Sequence, residues 1–186
     1  MHGVTEVCPE CQFDPSVELD PVERFSTFAK RFPIPITRLL PTDPPDILRT
    51  RLQETTWSAL EYVGHVKGVC TTTTDWINAT VSADVPVLTA PDPDAEVAAG
   101  GFNDMAPAEL AEQARSAATT TSQTLAAVGA GALDRTATFA GMTVPLRLLV
   151  IAMIHECHHH LLDIGRVLRT VRTQSAALPH RRDAPA

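Results

Sequence analysis

No stretch of this sequence approaches the roughly 20 consecutive apolar residues that a helix needs to cross a bilayer, so an integral membrane protein is not expected. Basic residues are not in excess either: 15 Lys and Arg stand against 22 Asp and Glu, a net charge of -7. That balance offers no electrostatic footprint for nucleic acid or an anionic membrane. The opening MHGVTEVCPECQFDP lacks the charged and apolar regions of a secretory signal, and a cytoplasmic location is expected. No self-repeat at a fixed period is evident. Only four cysteines are present, and in a reducing compartment they need not be disulfides. What is there is ordinary for one globular domain of 186 residues: 44% apolar and 20% charged.

Proline and glycine divide the chain into long helical segments. Asp20-Pro21-Val22-Glu23 supplies an N-cap, a proline at the first helical position and an acid in the first turn. Phe25, Phe28, Ala29 and Phe32 form the apolar face of that first helix, which Pro33 and Pro35 must break or kink before Ile36 to Leu40. Residues 41–56 read as a proline-rich connection. Ser58 and Glu61 form a capping box for a second helix, with a stripe through Tyr62, Val63, Val66, Val69, Cys70, Thr73 and Ile77. Residues 85–104 read as a long loop whose prolines and glycines forbid a regular element. Pro107 opens a third helix ending near Gly129 or Gly131, and Thr136 to Met142 is a turn or strand-like link. Thr143-Val144-Pro145 is expected to cap a fourth helix that continues to about Val171. The expected fold is an all-α four-helix bundle over residues 20–172, with an N-terminal CxxC extension, 1–19, and a flexible tail, 173–186.

The fourth helix carries HECHHH, residues 155–160, four histidines and a glutamate in six positions. At about 100° per residue, side chains four apart share a face and can grip one ion. Two such pairs exist, His155 with His159 and Glu156 with His160. The inward stripe of Leu146, Leu149, Val150, Met153, Cys157, Leu161, Ile164 and Leu168 has Glu156 and His160 at its edge, which favours that pair. Leu148, Ala152 and Leu162 make the opposite side apolar too, so His155 and His159 stay open as the alternative. HECHH also matches the zinc-protease pattern H-E-x-x-H, in which Glu156 would be the base. That reading needs a third ligand downstream, where only Asp163, His180 and Asp183 remain, and it is not favoured. His65, beside the stripe of the second helix, is a ligand candidate from elsewhere in the chain, although a lone histidine there is more often packed core.

WSALEYVGH, Trp57 to His65, resembles the second-helix signature of the DinB-like superfamily, where a tryptophan precedes a metal-binding histidine by eight residues. Glu156 to Ile164 looks like its fourth-helix signature, two ligands four apart followed by a polar residue and an aliphatic, here Asp163-Ile164. The resemblance implies His65, Glu156 and His160 as ligands of one divalent ion, zinc in the first place, with nickel, iron or manganese as other candidates. A glutamate in that slot is similar to the mycothiol-dependent maleylpyruvate isomerases. Two features depart from the pattern. An acid often found three residues after the first histidine is Gly68 here. Those isomerases also carry a further C-terminal domain that this chain is too short to hold, so maleylpyruvate isomerisation itself is not expected.

Three ligands leave an open position, the mark of catalysis rather than structure. The resemblance implies a low-molecular-weight thiol, such as mycothiol or bacillithiol, activated by the metal to attack a small electrophile. The expected activity is thus a metal-dependent S-transferase or thiol-assisted isomerase. A thiol-independent hydrolase, lyase or cyclase is the main alternative, and a non-catalytic metal-binding stress protein is another. Asp163 could orient the His160 ring, and Arg166 could bind a carboxylate of thiol or substrate, although a surface arginine is the simpler reading. His155, His158 and His159 read as polar-face or interface residues, compatible with a homodimer. Cys70 and Cys157 read as buried small hydrophobes. Cys8-Pro-Glu-Cys11 has zinc-knuckle spacing, yet no second CxxC or close histidine pair completes it. A redox pair, a disulfide, a metal clip with a distant histidine and an inert exposed pair all stay open.

Overall fold

The computed structural model describes residues 6–177. The first helix, α1 (Pro21–Arg31), starts where expected: Asp20 accepts hydrogen bonds from the backbone N–H groups of Val22 and Glu23. Its Phe25, Phe28 and Phe32 are fully buried or nearly so, and Phe28 stacks on Phe32 at 5.3 Å. Each such ring contributes roughly 1.5–3 kcal/mol by leaving water. The prolines confine α2 to Ile34–Thr37. The capping box of Ser58 and Glu61 forms and opens α3 (Ala59–Ser82). Arg51 grips the Glu61 carboxylate through two nitrogens at 2.8 and 2.7 Å, fixing the entry to that helix.

Residues 85–104 are not the irregular loop that their prolines led us to expect. They contain β1 (Val87–Leu88), the two-turn helix α4 (Pro93–Gly100) and a 3₁₀ turn, Phe102–Asp104. Proline is the reason for the helix rather than an obstacle to it. Pro93 stands at the first helical position, where no N–H is needed, and Asp92 caps the N–H groups of Asp94 and Ala95. Gly101 ends α4 with a φ of 59°, the left-handed conformation that glycine adopts without strain.

The third long helix, α5 (Pro107–Val128), runs as expected. The link after it is a hairpin of β2 (Thr136–Phe139) and β3 (Met142–Pro145). Ala140 and Gly141 both have positive φ, 51° and 78°, as a two-residue type I′ turn requires. Thr143 to Pro145 therefore belong to a strand rather than to a helix cap. β2 pairs antiparallel with β3 and parallel with β1, giving a small sheet in the order β1-β2-β3. The last helix, α6 (Leu146–Ala177), extends beyond the expected end at Val171; the rest of the expected tail lies outside the described residues.

The fold is thus mostly helical, a four-helix bundle with a small sheet. α1 and α3 each pack on both α5 and α6. α3 and α6 face each other along the bundle, and the candidate donors sit on those two helices.

Candidate metal centre

His65 lies on α3 and is 5% exposed; Glu156 and His160 lie one turn apart on α6. Their donor atoms all fall within 4.8 Å of one another. His65 Nε2 is 3.5 Å from Glu156 Oε1, and His160 Nε2 is 3.1 Å from the same oxygen. Behind His160, its Nδ1 meets Asp163 Oδ2 at 3.1 Å, which sets the ring so that Nε2 faces the cluster. Burial pulls the His160 imidazolium down, but hydrogen bonds with Asp163 and Glu156 outweigh it and lift its pKa to about 9. The same histidine, helped by His65, holds the Glu156 carboxyl far below the usual carboxylate range.

His65 is the odd member. Neither of its ring nitrogens makes a hydrogen bond, although both are buried. A buried polar group in that state costs roughly 1–3 kcal/mol, and a divalent ion shared with Glu156 and His160 would relieve it. Two imidazoles and a carboxylate are also a donor set that zinc accepts. The residues fit a metal.

Trp57 packs its ring 4.9 Å from His65 and 5.9 Å from His160, and Tyr62 lies 5.2 Å from His160. The spacing from Trp57 to His65 therefore places an aromatic wall against both imidazoles. Burial, with the Asp163 charge adding to it, pushes the Tyr62 hydroxyl up to about 12, so it stays protonated.

Glu96, on α4, was missed by sequence reasoning. Its Oε2 approaches His65 Nδ1 at 3.9 Å, on the side away from Glu156. A Cβ at position 68 would overlap the Glu96 carboxylate, so Gly68 is the opening through which Glu96 reaches the histidine. The Glu96 carboxylate fills the space beside position 68 that a side chain on α3 would otherwise take. The available signal was the Asp92-Pro93 cap, which announces a helix in the supposed loop. α4 and the segments on either side of it are held at several points: Trp57 Nε1 donates to Asp94 Oδ1 at 3.1 Å, Ser58 Oγ to Asn103 Oδ1 at 2.7 Å, and Trp76 Nε1 to the Thr89 carbonyl at 3.1 Å. Between α4, α3 and α6 lies a cavity of 240 Å³ lined by His65, Val69, Trp76, Glu96, Met153 and Glu156, among others. Larger depressions between α3 and α5 and between α1 and α5 hold none of these donors.

His155 and His159 turn instead toward the N-terminal segment. Phe13 stacks on His155 at 5.0 Å, and His159 Nε2 lies 3.4 Å from Glu10 Oε2 and 3.5 Å from Asp163 Oδ2. Arg166 does not point at the cavity: it donates to Asp163 at 2.7 Å and to the Glu10 carbonyl at 2.5 Å. Cys8 and Cys11 are buried, 6% and 5% exposed, and not disulfide-bonded, so the inert exposed pair is not what forms. Burial works to raise the Cys8 thiol, but the backbone N–H groups of Cys11 and Glu10 aimed at its sulfur bring it below its ordinary value. Burial pushes the Cys11 thiol up. Cys70 and Cys157 are fully buried in the bundle, as expected of small hydrophobes.

The DinB superfamily model matches residues 36–162 of this sequence, which includes all three donors. The chain belongs to the DinB superfamily. Its structure is similar to that of YfiT from Bacillus subtilis, described as a probable metal-dependent hydrolase with an unusual four-helix bundle topology. That likeness has a TM-score of 0.68 at 12% identity and covers 85% of this chain and 93% of YfiT. It is also similar to the mycothiol-dependent maleylpyruvate isomerase, with a TM-score of 0.58 at 17% identity, over 79% of this chain and 61% of the isomerase. At such identities the likeness concerns the fold. No curated protein matches the sequence closely.

Proposed function

We propose that this DinB protein is a metal-dependent enzyme acting on a small electrophile, with His65, Glu156 and His160 as the ligands of one divalent ion, zinc by preference. The observation that carries the reading is His65, buried with neither ring nitrogen hydrogen-bonded and its donor atom within 4.8 Å of those of Glu156 and His160, at the edge of a 240 Å³ cavity that His65 and Glu156 line. When bound by three protein ligands, such an ion supplies Lewis acidity and lowers the pKa of a thiol or water at its open position. The chain's own residues do the rest. Asp163 orients the His160 imidazole, Glu96 sets a carboxylate charge 3.9 Å from His65 Nδ1, and Trp57 and Tyr62 cover the ring faces. Val69, Trp76 and Met153 give the cavity apolar walls suited to a small, weakly polar reactant.

Within that reading, the nucleophile we favour is a low-molecular-weight thiol of the mycothiol kind, making the protein an S-transferase or thiol-assisted isomerase. Support comes from the fold shared with the mycothiol-dependent isomerase and from the glutamate in the first fourth-helix ligand slot. A hydrolase using water is the second reading, supported by the fuller coverage of YfiT. Zinc-loaded protein should be given a panel of thiols with generic electrophiles, and separately esters and amides without thiol. Thiol-dependent turnover that is lost on chelation and in His65→Ala supports the first reading. Chelator-sensitive hydrolysis with no thiol present supports the second. Turnover unaffected by chelation would sink both.

A further inference from the structure

The second histidine pair of HECHHH lies against the CxxC motif of the N-terminal segment. The four donor atoms of Cys8, Cys11, His155 and His159 all fall within 4.8 Å of one another. We infer that Cys8, Cys11, His155 and His159 form a second metal site, a closed Cys₂His₂ zinc centre that fastens the N-terminal segment to α6. It shares no donor with the site proposed at His65.

Around a tetrahedral zinc, bond lengths of about 2.0 Å to nitrogen and 2.3 Å to sulfur put neighbouring donors roughly 3.3–3.8 Å apart. Cys8 Sγ and His159 Nδ1 are already 3.7 Å apart. The remaining separations need close by no more than about 1.5 Å, within reach of small rotations of cysteine and histidine side chains. The backbone is set for it. Gln12 has a φ of 59° and turns the chain back, so that Gln12 N donates to the Cys8 carbonyl at 2.8 Å and Cys8 N to the Phe13 carbonyl at 2.9 Å. Both thiols of the resulting knuckle point the same way.

The surroundings are those of ligands. The far nitrogen of His159 faces two carboxylates, Glu10 at 3.4 Å and Asp163 at 3.5 Å, a usual arrangement behind a zinc-bound imidazole. Phe13 covers the face of His155, and His158 Nε2 donates to the Cys11 carbonyl at 3.2 Å, holding the knuckle on the helix. Two thiolates and two neutral imidazoles with no position left open make a structural site, not a catalytic one. The histidine pair that seemed missing beside the CxxC is supplied by α6, more than 140 residues away.

Tag-free protein kept reduced and reconstituted with zinc should hold two ions per chain. Cys8→Ser/Cys11→Ser should hold one and His65→Ala one, and those two remaining ions should differ. With cobalt in place of zinc, wild type and His65→Ala should show sulfur-to-cobalt charge-transfer absorption, and the double serine variant none. Cys11→His, which keeps four ligands, should restore the second ion with a weaker band. Zinc should also slow alkylation of Cys8 and Cys11 by at least tenfold. The wild-type cobalt spectrum needs no variant to fold: absence of the sulfur band there, or equal alkylation with and without zinc, overturns the site. A Cys8–Cys11 disulfide persisting under reducing conditions overturns it as well. Loss of the ion from His65→Ala but not from the serine variant would leave the catalytic reading standing and remove this one.

Discussion

Glu156 with His160 and His155 with His159 are donor pairs of the same spacing, one residue apart on one helix. Their surroundings differ in kind. The first pair faces a buried histidine of α3, with Glu156 also lining a cavity, and the second faces two cysteines on a segment that folds back over α6. A step of about 100° around the helix separates them. The helix presents both pairs alike; what packs on each face decides what each can do. That is why a letter match to H-E-x-x-H carries so little here: the face that holds both of its histidines is packed against Cys8 and Cys11.

The largest effects should come from removing donors on each face. In the Cys8→Ser/Cys11→Ser background, which isolates the bundle site, Glu156→Ala or His160→Ala should weaken zinc binding by well over the roughly 100-fold that a supporting residue can cost. His155→Ala in the same background should change it little. Competition with a chromophoric chelator measures both. A zinc protease would give the opposite pattern, with Glu156→Ala keeping its ion and His155→Ala losing it.

Much of this geometry is legible in the sequence. The Asp20-Pro21 start, the Ser58–Glu61 capping box and the Trp57-to-His65 interval are local signals, and each formed where its residues indicated. So was the grouping of donors into two pairs by i and i+4 spacing. What was not legible depends on chain folded across chain. The histidines on the far side of α6 made sense only once the N-terminal segment was seen lying against His155, His158 and His159. The strand at Thr143 to Pro145 depends on its pairing with β2. Glu96 was hidden because prolines at 91 and 93 read as breakers, although Pro93 after Asp92 is also how a helix begins.

Intermediate effects should come from the residues behind the donors. Glu96→Gln should weaken zinc at the bundle site by about tenfold, within the range for a carboxylate set behind a ligand. Gly68→Ala should do nearly the same without touching any donor, because its new Cβ takes the space of the Glu96 carboxylate. Since that carboxylate is the free end of a flexible side chain, Tm of the chelated protein should hardly move. The double variant should be no worse than either single one. Additive losses would mean that Gly68 serves packing rather than Glu96. Asp163→Asn sharpens the comparison further, since Asp163 stands behind both His160 and His159. It should weaken both sites by about tenfold or less, where Glu96→Gln weakens only one.

The smallest effect belongs to a third contact of α6 that holds no donor cluster. Arg172 donates to both carboxylate oxygens of Asp43, at 2.6 and 2.8 Å, tying the proline-rich connection to the end of the helix. That bond holds the Asp43 carboxyl down at about 2. An unfolded aspartate titrates near about 3.9. A depressed folded value means stability that is fully present above the unfolded value and lost as pH falls toward the folded one. Asp43→Asn in chelated protein should therefore lower Tm by a few degrees at pH 7, because the Asp43 carboxylate is covered while its Arg172 partner stays partly in solvent. The difference from wild type should shrink below about pH 4 and vanish near pH 2. Zinc stoichiometry should stay that of the wild type throughout the neutral range. A change in metal content would show that this end of α6 is coupled to the donor faces, and that the two sites are less local than their geometry makes them.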